Sequence, residues 1–207
     1  MSYSNFTFEK VREQLELTIE DRKGLFSHVE EANIDDSFLL TLFKDNIPLA
    51  LAINTEKARS ELIIMPVLLK IRKMFNNKIS LFSGVDFTVN EEIDLKGVCD
   101  FLISLSPEQF FISAPVVTIV EAKKENIVEG IPACMAEMKA AQIFNKKRDN
   151  EILTIYGSVT SGSIWKFMSL NNNIVSIDLD EYYIKEISKI LGILFFMCQK
   201  VNFGKAR

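Results

Sequence analysis

Two short runs rich in β-branched and aromatic residues, Val98 to Leu105 and Val116 to Val120, constrain the fold of this chain more than any other feature. Both have the length and composition of strands rather than helices. Each carries ionisable groups. Asp100 lies within the first run, and the second ends in Glu121-Ala122-Lys123. Side chains alternate along a strand, so Glu121 and Lys123 share one face while Ala122 points away. A hairpin between the two strands brings Asp100 beside Glu121. A second Glu-x-Lys triplet, Glu137-Met138-Lys139, falls in a predicted helix, where residues two apart do not face each other. Strand context therefore separates the two copies.

The 207 residues suit one domain, residues 1–207, with N-terminal helices over about 1–45, a core over about 46–178 and a C-terminal helix over about 180–200. Phe8, Val11, Leu15 and Leu17 predict a short amphipathic helix, and Ser37 to Lys44 another. Asn54 or Thr55 caps a long helix carrying Ala58, Leu62, Met65, Leu68, Leu69 and Phe75, kinked at Pro66. Ile79 to Val89 reads as a strand before the central pair. Gly130-Ile131-Pro132 opens a helix to about Phe144, and its Ala133, Ala136, Ala140 and Ala141 let it lie close on a sheet. Ile152 to Val159, Ile164 to Leu170 and Ile174 to Ile177 read as further strands, with turns at Ser161-Gly162-Ser163 and Asn171-Asn172-Asn173. The step from the strand at Val116 through the helix to the strand at Ile152 fits a βαβ crossover. The expected class is α/β.

Composition narrows function mainly by exclusion. Apolar content of 48% and charged content of 25% are ordinary for a globular domain. A net charge of −4 disfavours a broad, nonspecific nucleic-acid coat, although a local basic groove remains compatible with it. Cys99, Cys134 and Cys198 are odd in number and form no C-x-x-C pair. They read as reduced core thiols rather than a disulfide framework or zinc site. The N-terminus shows no charged segment followed by an apolar one, and the richest apolar run, Ile190 to Met197, falls far short of the ~20 residues of a membrane span. A cytoplasmic protein without membrane association is expected. His28 is the only histidine and lacks nucleophile-elbow glycines, and Asp178 and Asp180 read as turn and cap residues. No phosphate-cradling glycine motif is present.

Two neighbouring carboxylates repel unless a cation lies between them. A hard divalent ion with oxygen ligands, Mg²⁺ or Mn²⁺, meets that need. It can polarise a phosphate oxygen and lower the pKa of a bound water. Lys123 can position or deprotonate that water, or stabilise charge on the phosphorane. The competing reading is a solvated strand end with Asp100 as an edge residue.

The order of these elements resembles the PD-(D/E)XK, or restriction endonuclease-like, nuclease superfamily. The resemblance spans about Asn54 to Leu170. Glu61 in Glu61-Leu62-Ile63-Ile64 matches the helical acid, Asp100, Glu121 and Lys123 match the central motif, and Gly130 to Gln142 matches the following helix. Ile155 to Gly162, with Trp165-Lys166-Phe167, is similar to uncharacterised bacterial members, particularly cyanobacterial ones. Cys99 stands where many members have Pro. The resemblance implies a mixed β-sheet flanked by helices and Mg²⁺-dependent hydrolysis of DNA. Asp100, Glu121 and Glu61 would be metal ligands, and Lys123 the catalytic base or stabiliser. Glu137 and Gln142 are accessory candidates on the helix.

Lys124 and the cluster Lys146-Lys147-Arg148 are candidate phosphate contacts, as are Lys70, Arg72, Lys73 and Lys78. Ser158, Thr160, Ser161, Ser163 and Trp165 are candidates to line a groove. Phe195 and Phe196 exceed what one buried helix face needs, and a homodimer contact there would suit cutting both strands of a duplex. The same fold also serves a non-catalytic nucleic-acid-binding or assembly module, since fold does not fix chemistry.

Overall fold

All seven residues of β4 (Val116–Ala122) are buried, and the rest of the chain is arranged around that strand. The structure is a computed structural model that describes residues 3–33, 37–150 and 152–199. On one side β4 pairs antiparallel with β3 (Val98–Ser104), which pairs antiparallel with β2 (Ser80–Asp86). On the other side it pairs parallel with β5 (Thr154–Thr160). The sheet continues through β6 (Ile164–Asn171) and β7 (Ile174–Asp178) to β1 (Thr18–Arg22), while β8 (Tyr182–Tyr183) pairs with β6. The result is an open, mixed, eight-stranded sheet in an α/β fold, with the order β1-β7-β6-β5-β4-β3-β2.

Helices cover both faces, which is why β4 has no polar side. The parallel β4–β5 step is made through α5 (Ile131–Lys146), which packs on both strands. Gly157 of β5 is level with Ile119, and a Cβ there would stand 2.4 Å from Met138 Sδ and 2.9 Å from Cys134 Sγ. Only glycine allows α5 so close. The preceding residue of β4, Thr118, points the opposite way and meets Cys198 of α6 (Ile187–Gln199). Next to α6 lies α4 (Met65–Met74), which packs on β2. Cys99, Cys134 and Cys198 are all free and buried, as expected of core thiols.

Asn145 fastens the far end of α5 to the sheet. Its buried amide accepts from Val116 N at 2.8 Å and donates to Val116 O at 2.7 Å. A second side-chain amide guards the outer edge of the sheet. Gln109, in the β3–β4 loop, donates to Leu81 O at 2.8 Å and accepts from Leu81 N at 3.3 Å. The same loop presents Phe110 almost fully to solvent.

The central strands and the helix after them match the sequence expectations, and three boundaries differ. The N-terminal region is not purely helical. After α1 (Phe8–Gln14) the chain forms β1, which adds parallel to β7. Its pattern, Thr-Ile-Glu-Asp-Arg, is mostly polar because an edge strand is half solvated. The second helix, α2 (Ser37–Ile53), runs across the expected boundary at 45 and contains Pro48. The C-terminal helix begins at Ile187 rather than Asp180, because the residues after β7 first build β8 and a 3₁₀ turn, Ile184–Glu186. Lys200, its expected end, lies outside the described residues.

The capped helix after Thr55 forms as α3 (Glu56–Arg59), a π turn over Ser60–Ile64, and α4. Thr55 caps it by accepting from Ala58 N at 3.1 Å. Pro66 falls just after the π turn, in the first turn of α4, where its missing N–H costs least. No helix among the described residues is long and apolar enough to cross a membrane.

Replacing Asn145 by Ala strands the N–H and C=O of Val116 in the core. A loss of about 3 kcal/mol is expected, measured as a lower urea midpoint with an unchanged slope.

Candidate active site

The β3–β4 ladder pairs Phe101 with Val120 and Leu102 with Ile119. One step further, the same register places Asp100 opposite Glu121. The carboxylate of Asp100 accepts a hydrogen bond from Ala122 N at 2.8 Å, so it is held at the end of the strand pair. Glu121 is buried and receives a 2.6 Å hydrogen bond from Lys123 Nζ. The expected hairpin therefore forms, and Glu121 and Lys123 meet on one face. The stem of Lys123 is packed against the entrance of α5. A Cβ at Gly130 would come within 2.7 Å of Val159 and 3.0 Å of Lys123 Cγ, so a glycine is needed there.

A third carboxylate lies beneath the first two. Glu137 projects from α5 into the core and is 1% exposed. One of its oxygens, Oε2, has no hydrogen-bond partner, and its carboxyl accepts a hydrogen bond from the Cys99 thiol. The sequence carries a signal for this burial. Ala133, Ala140 and Ala141 stand four before, three after and four after Glu137, so the acid shares the small-residue face of the helix that packs on the sheet.

Electrostatics follow from this crowding. Burial, then the charge of Asp100, pushes Glu121 up to about 7, even though the charge and hydrogen bond of Lys123 pull it down. Glu137 is held well above the ordinary carboxylate range, first by burial and then by the charges of Glu121 and Asp100. Burial also raises the Cys99 thiol, with the charge of Glu137 adding to it. For Lys123, burial pulls down, but the charge and hydrogen bond of Glu121, with Glu56 and Asp100, outweigh it. Its pKa rises, and it remains an ammonium at neutral pH.

Glu56 is a residue that sequence reasoning missed. As the first residue of α3 it reads simply as an acid favoured by the helix dipole. In the fold its charge reaches both Glu121 and Lys123. Glu56, Glu61, Gly84 and Asp100 line one surface depression. Glu61 sits on the rim of it, with a side chain 64% exposed and 3.9 Å from Lys57.

No family model, curated protein or solved structure matches this chain.

The residues themselves thus decide what the site can hold. Among the described residues, no group of three or more His, Cys, Asp or Glu side chains is gathered closely enough to make a complete metal cage. Two mutually repelling carboxylates, with a third acid behind them carrying an unpartnered oxygen, still fit a hard cation that keeps several waters.

The remaining candidates are distributed differently. Lys124 is one residue from Lys123 and pairs loosely with Glu125 at 3.5 Å. Gln142 is turned to the β6–β7 turn. It donates to Asn172 O at 2.8 Å and accepts from Lys139 at 3.0 Å. Lys146, Lys147 and Arg148 are at the opposite end of α5, about 20 Å from Lys123 at 1.5 Å rise per residue. Arg148 lies over the Phe144 ring, and Lys147 donates to Val89 O. Lys70, Arg72 and Lys73 border a groove between α2 and α4, and Arg72 donates to Asn77.

The hydroxyls expected to line a groove close the β5–β6 hairpin instead. Ser158 donates to Lys166 O, Thr160 donates to Ile164 O, and Ser163 accepts from Arg59. Trp165 is buried and bonded to Gly162 O. The surplus aromatics of α6 are used internally, Phe195 against Phe75 and Phe196 against His28, Phe26 and Tyr156. Asp178 is a buried acceptor for Phe26 N and Tyr182 Oη rather than a simple turn residue.

The raised carboxyl of Glu121 has a consequence for stability. Its unfolded value is near 4.5 and its folded value about 7, so its contribution is fully present below pH 4.5 and is lost as pH rises through 7. In metal-free buffer, Glu121→Gln is expected to be more stable than the parent at pH 8, by on the order of 2 kcal/mol, with the gap closing near pH 4. Thermal melts across that range measure it.

Proposed function

We propose that this chain is a metal-dependent nuclease of the PD-(D/E)XK type that hydrolyses phosphodiester bonds of DNA. The reading is carried by the cluster in which Asp100, Glu121 and Lys123 meet at the end of two adjoining strands, with the carboxylates crowded enough to favour a cation. On this reading the β2–β3–β4–α5–β5 unit is a restriction endonuclease-like core. Asp100 and Glu121 would hold Mg²⁺ or Mn²⁺, and Glu61 would reach it from the rim through water. The ion would supply Lewis acidity toward a phosphate oxygen and a more acidic water.

The chain's own groups divide the remaining work. Lys123 stays charged because Glu121 holds its proton in place. It is therefore suited to stabilising the negative charge that develops on phosphorus-bound oxygens, rather than to accepting a proton from water. Asp100, fixed by Ala122 N, keeps its second oxygen free of that bond. The burial and neighbouring charges that raise Glu137 disfavour a third negative charge beneath the site, where it would repel the backbone of the substrate. Lys124, one residue beyond Lys123, is the basic group nearest in sequence for a phosphate contact.

A second reading has its own support. Glu121 is already satisfied by Lys123, and no three-ligand cage forms among the described residues. A non-catalytic nucleic-acid-binding or assembly module on the same scaffold would look the same.

Supercoiled plasmid assayed with and without Mg²⁺ separates the two. Nicking that requires the metal, and that falls about 100-fold or more in Asp100→Ala and Lys123→Ala proteins that remain folded, is the expected result. Nicking that survives both changes overturns the nuclease assignment. Calorimetry that detects no Mn²⁺ binding dependent on Asp100 and Glu121 selects the non-catalytic module.

A further inference from the structure

Lys139, Gln142, Ile143 and Lys146 occupy positions i, i+3, i+4 and i+7 of α5, so they form one stripe along the helix. The stripe borders the β6–β7 turn, which is two residues long, Asn172-Asn173, between the paired Asn171 and Ile174. Asn172 takes the left-handed conformation that so short a hairpin turn requires. Between helix and turn lies an open depression of about 600 Å³, within the range of a small-ligand site. Ile152 and the exposed Leu153 give it an apolar wall.

The polar groups of the depression are fixed in advance. Lys139 Nζ donates to Gln142 Oε1 at 3.0 Å and to Asn173 Oδ1 at 2.9 Å. Gln142 Nε2 donates to Asn172 O, and Thr18 N donates to Asn173 O, each at 2.8 Å. The turn is thus held from both sides. What the depression lacks is negative charge. Among the described residues, no Asp or Glu lines it, and no carboxylate pairs with the ammonium of Lys139 or Lys146. Glu151 lies outside the described residues. The half-buried Lys139 has only neutral amide oxygens as partners, and one of its three protons is left to give. Lys146 is exposed, and its ammonium makes no hydrogen bond among the described residues. Burial and the like charge of Lys146 pull Lys139 below the ordinary lysine value, although the charge of the exposed Glu16 opposes them.

A lysine at the last turn of a helix suits the negative end of the dipole, which accounts for Lys146 alone. Lys139 stands two turns earlier, beyond the reach of that effect, and is still set beside a like charge. Two cations on one stripe, about 10.5 Å apart along the helix and without a carboxylate between them, fit an anion that both side chains can reach. Its charge distinguishes phosphate from carboxylate. A phosphate monoester carries about −1.5 to −2 at neutral pH and matches two ammoniums, whereas a carboxylate leaves one of them uncompensated. Lysine also meets a phosphate as a point charge, while a planar carboxylate is better matched by the fork of arginine. The apolar wall suits the organic part of an ester.

We propose that the depression between α5 and the β6–β7 turn binds a phosphate ester, with Lys139 and Lys146 as the charged donors, the Asn173 amide as a neutral one, and Leu153 against the organic part. The ester is either a free one of nucleotide size or a phosphate within a nucleic-acid strand, which share this recognition chemistry. The proposal does not depend on the nuclease reading, since no residue of the Asp100–Glu121–Lys123 cluster lines the depression.

Two probes test it on the full chain in metal-free buffer. Adenosine 5′-monophosphate is titrated by calorimetry up to about 5 mM, and a fluorescein-labelled oligothymidylate is titrated with protein up to about 100 μM by anisotropy. At least one probe is expected to bind. Lys146 is exposed and unbonded, so Lys146→Gln is expected to keep the melting temperature while raising Kd about tenfold. Lys146→Arg keeps the charge and is expected to stay within about twofold of the wild type. Lys139→Gln is expected to weaken binding at least as much.

Binding of the mononucleotide that depends on Lys146 assigns a free ester. Binding of the oligonucleotide alone, with the same dependence, assigns a phosphate of a strand. Binding of neither probe overturns the proposal, as does an affinity that Lys146→Gln leaves unchanged or that Lys146→Arg lowers equally.

Discussion

The burial of Glu121 at the end of a strand covered on both faces is the constraint on which the rest of the site depends. Seven consecutive buried positions make β4 a core strand, and the core does not stop before its acid. A carboxylate there is expensive to ionise, and the fold raises that cost by setting the charge of Asp100, and more weakly that of Glu56, nearby. Lys123 compensates in part through one short ion pair. The balance pushes Glu121 up to about 7, so small changes around it shift its charge at neutral pH.

The packing that creates this strain is also what makes it reproducible. Gly157 lets α5 approach the sheet closely enough to bury Glu137, and Gly130 lets the same helix start against the stem of Lys123. Asn145 then fixes the other end to β4. Three contacts along one helix thus set how deep the third acid sits. Because interiors are packed tightly, a small change at any of them is felt at the carboxylates.

Much of this is legible in the sequence. Alternation along Val116–Lys123 is enough to put Glu121 and Lys123 on one face, and the apolar run around Asp100 is enough to place it one strand earlier. Small residues along Ala133–Ala141 announce a helix close to the sheet. What is not legible depends on long-range geometry. β1 is too polar to stand out, since an edge strand needs no second apolar face. Glu56 and Glu61 differ only in their position around a helix, and Glu61 lies within the π turn, Ser60–Ile64, that alters the helical phase. Lys146, Lys147 and Arg148 look like a phosphate cluster in one dimension, but the length of α5 carries them to the far end. The aromatic pair Phe195-Phe196 suggests an interface until Phe75, His28 and Phe26, distant in sequence, are seen to receive it.

The clamp of Gln109 on Leu81 bears on how the sheet ends. An outer strand is a template on which another chain can add its own backbone. Here a single side-chain amide occupies the donor and acceptor that an incoming strand would need first. The loop that supplies it leaves Phe110 in solvent, beside an edge already taken. The pairing groups of Leu81 are thereby withdrawn from the edge that an added strand would use, close to the loop that carries Phe110.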